Sequence, residues 1–524
     1  MEQKRIAIVG SGVSGLGALW TLRNSPHEIH LFETADRLGG HTNTAKWTHK
    51  GKTTAVDTGF IVMNTATYPN FIEFLKALDV ATIASEMTFG VSRDAGAFEW
   101  SGTSGRALFA QAENLFKPSF WRMIFDIVRF NQFALDVLSA APGSSSKSMA
   151  MNTSIGQYLA QEGYSDAFRD DYLIPMTACV WSTGADKCAL EFPALTLIRF
   201  MWNHHLLSTM AARPPWLTIQ GGAKRYIDAV MRQCEGVHVH LKCPVKSLAR
   251  IDGRIQLELG GETTSEKAGG MFDEVILACH GDQAHELVKA CASMEEEEEI
   301  LAAFETTPNT AYLHSDLSLM PKRRAAWSAW NYLTTSTSSS SSSLSVPPSQ
   351  QSSGALQTVS LTYNMNILQH LSVSDFSHVL VTLNPEVPPS SSTVQAVYQY
   401  RHPLYTARMV TAQTQLEKIQ GKRGVWYAGA WTGYGFHEDG FSSGMNVGLR
   451  LGGHVPWTVK DAKYSRGITP VMSWKDHVAR YMISAMQMLI RVMDTFLRAY
   501  TTWTLNQKTR RDANTLGAVD KKAL

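Results

Sequence analysis

The chain has 524 residues, of which 44% are hydrophobic and 10% aromatic, so it holds more apolar material than one ordinary core needs. Its 48 basic and 46 acidic residues leave a formal net charge of +2, which gives no positive field that would attract nucleic acid. We therefore expect a globular protein of two intimately joined domains that does not bind nucleic acid.

Cysteine usage and the amino terminus both favour a reducing compartment. The six cysteines form no C-x-x-C pair, which is typical of buried reduced thiols rather than of a zinc site or a disulfide framework. A predicted strand begins by residue 5, which leaves no room for a signal or transit peptide. The final Lys-Ala-Leu does not match the peroxisomal Ser-Lys-Leu signal. We expect a cytoplasmic protein.

The amino-terminal segment predicts a dinucleotide-binding turn. Residues 6–9 form a continuous apolar run, as in a strand buried on both faces of a parallel sheet. The run ends in a G-x-G-x-x-G made by Gly10, Gly12 and Gly15. In such a turn the first glycine permits the tight bend and the second lets a pyrophosphate approach the backbone. The third lets the following helix pack on the strand.

The next residues complete the strand–helix–strand unit, and in that context the motif indicates dinucleotide binding. A helix over 14–23 would direct its N-terminal N–H groups at the phosphates, and residues 28–32 predict the second strand. Glu33 follows at the end of that strand, where a carboxylate accepts hydrogen bonds from a ribose diol. An acid at this position argues against a 2′-phosphate, and hence against NADP as the ligand of this turn.

The pattern changes several times in the middle of the chain. Residues 69–78 predict an amphipathic helix. From about 91 to 214 the pattern is helical and aromatic, with a loop at 141–146. Glu295 to Glu299 predict a capped, solvated helix N-terminus. Residues 334–353, which contain a serine run, predict a disordered or long surface loop within a segment of strands.

A last glycine-rich segment suggests a discontinuous layout. Residues 425–430 predict a short strand, 431–440 a loop and 442–450 a helix. Because dinucleotide-type patterns occur at the start, middle and end, we predict an α/β domain interrupted by a second domain. The predicted segments are the dinucleotide-binding parts 1–90, 215–290 and 405–455, the inserted parts 91–214 and 291–404, and the tail 456–524.

The tail predicts an amphipathic helix. Residues 474–503 carry apolar side chains at helical spacing, but Arg480, Arg491, Asp494 and Arg498 interrupt them, so the segment does not qualify as a transmembrane span. In one interpretation the apolar face packs on the protein. In the other the helix lies in a membrane interface, which would make the protein membrane-associated.

Six short motifs are spread along the chain. They are Gly10–Gly15, Glu33, Arg37–Gly40, Asp57–Phe60, Gln220–Gly222 and Ala428–Gly440. This set resembles the flavin-containing amine oxidase superfamily, and within it a subgroup of predicted NAD/FAD-binding oxidoreductases. The resemblance extends to about residue 455, apart from the serine-rich insert. It implies a Rossmann-type FAD-binding domain with a discontinuous insertion of an α+β substrate domain.

The resemblance also implies which residues would bind FAD. Gly10, Gly12 and Gly15 would hold the pyrophosphate, and Glu33 the adenosine ribose. The other implied contacts are Arg37, Gly39 and Gly40 along the pyrophosphate and ribityl path, Gly59 and Phe60 near the flavin ring, Val245 against the adenine, and Asp439 and Gly440 at the pyrimidine end of the flavin.

The sequence departs from the superfamily pattern in three places. His41 stands where members often have an arginine. Ala430 and Trp431 follow Gly429, where an acid is common. No cysteine stands near the terminal glycine motif, so a covalent thioether of the monoamine oxidase kind is not predicted.

Catalytic residues are harder to predict than cofactor contacts. His437 and Glu438 lie in the predicted loop that would border the flavin, so they are candidates for acid–base work or substrate contact. The alternative is that they are structural partners of the loop backbone. The adjacent His204 and His205 suggest a metal, but the sequence shows no third ligand, so no metal site is predicted.

Three functions stay open. The preferred one is an FAD-dependent oxidoreductase, of oxidase, desaturase or isomerase type, that removes a hydride equivalent from a hydrophobic or lipid-derived substrate. The inserted segments are apolar and poor in acid clusters, and bacterial members of the subgroup are often encoded beside cyclopropane-fatty-acid synthase genes. The alternatives are an amine or amino-acid oxidase that produces hydrogen peroxide, and a non-catalytic flavin-bearing protein that binds a membrane or a partner.

Overall fold

A computed structural model describes most of the chain. The described residues are 2–139, 153–181, 190–207, 214–260, 270–289, 295–336, 356–462, 466–467, 469–493, 495–496 and 499. The loop predicted at 141–146 and all but the first three residues of the predicted insert 334–353 lie outside them.

A five-stranded sheet carries the glycine turn. Its strands are β1 (Arg5–Val9), β2 (Glu28–Phe32), β10 (His238–His240), β14 (Glu274–Leu277) and β20 (Val425–Tyr427). They pair in the order β10-β2-β1-β14-β20, and every pair is parallel. The strands come from the start, middle and end of the chain, and the predicted α/β fold class is confirmed. The segment boundaries given above stay predictions.

Two helices that pack against each other begin at the carboxyl edge of this sheet. They are α1 (Val13–Leu22) and α16 (His437–Arg450). A Cβ built on Gly444 would lie 1.9 Å from the carbonyl oxygen of Ser14, and one on Gly448 would lie 2.8 Å from Thr21 Cβ. The glycines of α16 therefore allow a backbone-to-backbone approach, and both helices start at the edge where the strands end.

A seven-stranded sheet forms the second layer. Its strands are β7 (Phe89–Arg93), β8 (Phe98–Ser101), β15 (Thr306–His314), β16 (Trp330–Ser336), β17 (Leu356–Asn364), β18 (Leu380–Leu383) and β19 (Val394–Pro403). They pair in the order β19-β15-β18-β17-β16-β7-β8, with β16 and β7 parallel and the other pairs antiparallel.

Smaller sheets join the two layers. A hairpin pairs β3 (Thr44–His49) with β4 (Lys52–Asp57). The other two sheets are β5 (Met63–Asn64), β9 (Trp216–Ile219) and β6 (Thr82–Ser85), and β11 (Val245–Ile251), β12 (Arg254–Leu259) and β13 (Met271–Phe272).

The remaining helices cover the faces of these sheets. They are α2 (Pro69–Ala77), α3 (Gly105–Leu108), α4 (Pro118–Phe133), α5 (Leu135–Ser139), α6 (Ile155–Glu162), α7 (Asp166–Phe168), α8 (Ile174–Trp181), α9 (Ala194–Asn203), α10 (Lys224–Gln233), α11 (Gly281–Lys289), α12 (Glu295–Leu301), α13 (Met365–Leu368), α14 (Val373–Phe376) and α15 (Ala407–Gln413). A further helix covers 474–493. Among all described residues, no helix is long and apolar enough to span a bilayer.

Two sequence predictions differ from the structure. Helix α16 begins at His437 rather than at residue 442, so its first turn includes residues predicted to be loop. The acidic helix α12 is not wholly solvated, because Glu297 is buried, accepts a hydrogen bond from the Tyr427 hydroxyl at 2.5 Å and pairs with Arg423. A buried acid needs such partners, and no local sequence pattern indicates either of them.

Candidate active site

The three glycines of the first turn have different surroundings. Gly10 has a φ of +103°, and a Cβ on Gly15 would lie 1.9 Å from the Gly10 carbonyl oxygen. A Cβ on Gly12 would meet no atom within 4 Å. Glycine is therefore needed at 10 and 15 for the fold itself, whereas Gly12 borders space that a ligand can fill.

Glu33 lies beside this turn at the end of β2. Its carboxylate accepts hydrogen bonds from Ser11 N at 3.1 Å, Ser11 Oγ at 2.5 Å and Ala35 N at 2.8 Å. Cys243 N donates to the Glu33 carbonyl at 2.9 Å, and Val245 follows at the start of β11. The structure thus brings Glu33 and Val245 to the edge of the sheet where the glycine turn lies.

Arg37 stabilises the next turn of the backbone. Its guanidinium donates to the Gly40 carbonyl at 2.9 Å. Gly39 N donates to the Ser11 carbonyl at 3.0 Å, and a Cβ on Gly40 would lie 3.3 Å from Gly12 Cα. This second glycine turn is therefore docked on the first, and both border the same space.

Asp57 connects two of the six motifs. Its carboxylate accepts hydrogen bonds from Ala223 N at 2.9 Å and from Thr44 Oγ1 at 2.5 Å, which fixes the Gln220–Gly222 turn against the hairpin of β3 and β4. Burial raises the pKa of Asp57 to about 7, against the opposing effect of these donors.

Gly59 and Phe60 continue the path towards a cavity. A Cβ on Gly59 would lie 2.1 Å from the His41 carbonyl oxygen, so only glycine fits there. Phe60 N donates to the same carbonyl at 3.1 Å. The Phe60 ring stacks on the His437 imidazole with their centroids 3.7 Å apart.

His437 is buried in the first turn of α16. Its Nε2 lies 3.0 Å from the Tyr226 hydroxyl and 3.1 Å from Thr42 Oγ1. Burial lowers the pKa of His437 to about 3, so the imidazole is neutral at physiological pH. It therefore carries no proton to give as an imidazolium, but it can orient the neighbouring hydroxyl groups.

The Glu438 side chain is directed at the N-terminus of helix α2. Its carboxylate accepts hydrogen bonds from Asn70 N at 3.1 Å, Phe71 N at 2.9 Å and Ser442 Oγ at 3.0 Å. These backbone groups belong to the first turn of α2, so Glu438 caps that helix from another part of the chain. Burial raises the pKa of Glu438 to about 7, although the donors oppose the shift.

Asp439 and Gly440 shape the start of α16. Asp439 Oδ2 accepts a hydrogen bond from Phe436 N at 2.9 Å. A Cβ on Gly440 would lie 2.6 Å from Val13 Cγ1, at the first residue of α1. The two helix N-termini therefore meet at this point, where their N–H groups and dipoles favour an anionic ligand.

A cavity of about 170 Å³ lies beside Phe60 and His437. Among the described residues that line it there is no Asp, Glu, Lys or Arg, and Glu438 is not part of its wall. The described part of the wall contains aliphatic side chains, histidines and aromatic side chains, the aromatic residues being Phe60, Tyr68, Trp181, Phe200, Trp216, Trp330, Tyr363, Tyr400, Tyr405 and Phe436.

Three histidines from distant parts of the chain meet near the cavity. The His41 ring lies 5.3 Å from the rings of both His280 and His402, measured between centroids. Burial lowers the pKa of all three, that of His402 to about 4. His402 Nδ1 is buried with no hydrogen-bond partner in the described part of the chain. Of the three, only His41 lies in a sequence motif, where it replaces the arginine that is common in the superfamily.

His204 and His205 do not form a shared site. His204 lines the cavity, where its Nδ1 lies 3.0 Å from the Phe200 carbonyl, and burial lowers its pKa to about 4. The one group of possible metal ligands within the described residues lies elsewhere and consists of Glu28, His30 and His238. Glu28 is already paired with Arg5 and His30.

Comparison with known proteins supports this description. Residues 8–78 match the family described as NAD(P)-binding Rossmann-like domain. A segment of 48 residues is 42% identical to an L-amino acid oxidase from Cerastes cerastes, and it spans 9% of this chain and 9% of that protein.

Several solved structures match most of the chain. A cyclohexylamine oxidase from Brevibacterium oxydans is 13% identical, with 86% of this chain and 99% of that chain covered and a TM-score of 0.56. The chain has the fold of the flavin amine oxidases. A CLA-producing fatty acid isomerase from P. acnes shares this flavin amine oxidase fold, with 14% identity, the same coverage and a TM-score of 0.53.

Proposed function

We propose that the protein is an FAD-dependent oxidoreductase that removes a hydride equivalent from a hydrophobic or lipid-derived substrate. The observation that carries this proposal is the continuity of the two glycine turns with the cavity. A Cβ on Gly40 would lie 3.3 Å from Gly12 Cα, and the neighbouring His41 lines the cavity. One extended ligand can therefore border the Rossmann turn and the apolar cavity at the same time.

The residues along this path fit FAD. Space is open at Gly12, the N-termini of α1 and α16 converge there, and Glu33 offers a carboxylate for a ribose diol. Bound FAD would supply the hydride acceptor. The other proposed contacts are those of the sequence analysis, at Gly10, Gly15, Arg37, Gly39, Gly40, Gly59, Phe60, Val245, Asp439 and Gly440.

The protein's own contribution would be orientation and exclusion of water. Aromatic side chains wall the cavity, so a substrate there would be held in a dry environment. Neutral His437 would contact or orient groups at the cavity wall. Glu438 would act as a positioning residue, because it caps α2, whose preceding residue Tyr68 lines the cavity.

The wall of the cavity favours a hydrophobic substrate over an amine. A carboxylate is the strongest side-chain partner for a buried ammonium group, and the described part of the wall has none. The alternative of an amine or amino-acid oxidase is supported by the names of similar proteins, among them the cyclohexylamine oxidase. The fold does not favour this alternative, because a fatty acid isomerase matches the chain over the same extent.

Anaerobic flavin reduction tests the proposal. Purified protein should be yellow and contain FAD, and its flavin absorbance should bleach on addition of a lipid extract but not of amines or L-amino acids. If the reaction is an isomerisation, mass spectrometry with chromatography should detect a converted lipid without net bleaching. Bleaching by amines alone would overturn the substrate class. Folded protein that takes up no FAD would overturn the whole proposal, and FAD without any turnover would favour the non-catalytic alternative.

A further inference from the structure

The helix over 474–493 exposes its apolar face to solvent. Tyr481 is 78% exposed, Met488 69% and Leu489 60%. Amphipathic helices of globular proteins normally direct such a face at the core. The other large exposed apolar side chains of this segment are Trp474, Val478, Met482, Met486, Val492, Met493 and Phe496.

The opposite side of this helix touches the protein. Arg480 donates to the Gln132 carbonyl at 2.8 Å, pairs with Asp136 at 2.5 Å and stacks over the Phe133 ring at 4.7 Å. Ile483 is only 7% exposed. At 3.6 residues per turn, the exposed apolar residues fall within a sector of about 160°, and Arg480 and Ile483 lie outside it. The helix is therefore attached to the protein by the side that faces away from its exposed apolar residues.

The nearby helix α4 carries further exposed apolar residues. Trp121 is 47% exposed, and Val128 is also exposed on the same helix face as Gln132, which is the residue that accepts from Arg480. Phe116 is exposed just before α4 begins. A large exposed apolar area on the surface of a protein marks an interaction site.

The charge of the tail indicates what covers this face. Residues 470–524 contain nine basic and four acidic residues, whereas residues 1–469 contain 39 basic and 42 acidic residues. The positive charge of the sequence is thus concentrated in the carboxy-terminal segment that contains this helix. Basic residues beside a Trp-, Tyr- and Met-rich face are typical of helices that lie in the interface of an anionic membrane.

We propose that the helix over 474–493 binds an anionic membrane surface and lies parallel to its plane. Its apolar face enters the acyl boundary, Lys475 and Arg491 reach the lipid head groups, and Arg480 keeps the helix attached to α4. This docking depends on the tail alone and does not rest on the proposed oxidoreductase activity. A second copy of the chain is the competing occupant, but it would bring two positively charged tails together.

Vesicle co-sedimentation of the full chain tests the proposal. Vesicles of equal parts phosphatidylcholine and phosphatidylserine should bind the protein at least about tenfold more strongly than vesicles of phosphatidylcholine alone, with binding weakened by salt. The substitutions Met488→Gln and Leu489→Gln together should lower binding at least about tenfold without a change of charge. Arg491→Gln should lower binding to the anionic vesicles about fivefold.

A matched control uses the same helix. Ser484→Gln and Gln487→Asn lie outside the apolar sector, so this pair should leave vesicle binding unchanged. Because Met488 and Leu489 are exposed, the thermal unfolding midpoint of their variant should match that of wild type. The proposal would be overturned if the wild-type protein bound neither kind of vesicle. It would also be overturned if the protein formed a dimer that the Met488 and Leu489 substitutions dissociate, while no vesicle binding was detected.

Discussion

Individual glycines of the first turn serve different purposes, and substitution can separate them. Gly12 has φ −64° and ψ −178°, a conformation that alanine adopts easily, and open space lies where its Cβ would be. At Gly15 a Cβ would collide with the backbone of the same turn. The G-x-G-x-x-G pattern therefore combines a ligand requirement with a folding requirement.

Gly12→Ala should fold normally and lose its cofactor. We expect its free energy of unfolding without ligand to stay within about 1 kcal/mol of wild type, and its FAD content to fall at least about tenfold because the new methyl group fills the ligand space. Gly15→Ala should instead lower the free energy of unfolding by about 1–3 kcal/mol or more. Urea unfolding and flavin absorbance measure the two effects. If Gly12→Ala retained full FAD content, the proposed position of the pyrophosphate would be wrong.

Glu438 should make stability depend on pH. Its folded pKa of about 7 lies above the usual 4.5, so the folded state holds a proton that the unfolded state releases in this window. The contribution of this proton to the free energy of unfolding is fully present below pH 4.5 and is lost as the pH rises through 7. Glu438→Gln removes the titration, so its stability relative to wild type should rise between pH 5 and 8. Urea unfolding at pH 5 and at pH 8 measures the difference in unfolding free energy between the variant and wild type. A difference that is the same at both pH values would contradict the raised pKa.

The histidine cluster shows the limit of sequence reasoning at this scale. His41, His280 and His402 come from segments that are far apart in the chain. His280 follows β14 of the five-stranded sheet and His402 lies on β19 of the seven-stranded sheet, so the contact between the rings depends on how the two sheets pack. No local pattern marks His280 or His402. In contrast, the Gly10–Gly15 turn and Glu33 were predictable, because their spacing is local.

At the level of elements, the strands of the five-stranded sheet were predictable, whereas the start of α16 was not. Short segments with apolar side chains between turn residues predict strands at 28–32 and 425–430, and the observed strands are Glu28–Phe32 and Val425–Tyr427. Helix α16 begins in His437-Glu438-Asp439-Gly440, which has a glycine in its first turn and reads as a loop. Its helical conformation there depends on packing against α1, which no local propensity reports.

Gly444 should be essential for the contact between α1 and α16. A Cβ at this position would lie 1.9 Å from the Ser14 carbonyl oxygen, and backbone cannot move aside as a flexible side chain can. Gly444→Ala should therefore destabilise by about 1–3 kcal/mol, even though alanine favours helix by about 1 kcal/mol. Asn446→Ala, at an exposed position of the same helix, is the control and should be neutral or slightly stabilising. Thermal unfolding that ranks the two variants in the opposite order would refute this account of the contact.

At the scale of the whole molecule, the candidate site belongs to both layers. His437 begins α16, which follows the five-stranded sheet, while Tyr400 and His402 on β19 belong to the seven-stranded sheet, and all three residues line the same cavity. A ligand that touches both layers stabilises the folded state of both. The α/β fold class could be predicted from the sequence pattern, but the residues that face the cavity could not, since they depend on register between distant strands.

Removal of the tail should separate membrane binding from the rest of the molecule. Met472 packs against a core of the protein, whereas the helix that follows is attached mainly through Arg480 and Ile483. A chain that ends at Met472 should therefore keep its FAD content and lose no more than about 1–2 kcal/mol of unfolding free energy. Its binding to anionic vesicles should be abolished. Flavin absorbance, urea unfolding and co-sedimentation test the three parts separately, and a shortened chain that still sediments with vesicles would place the membrane contact elsewhere on the surface.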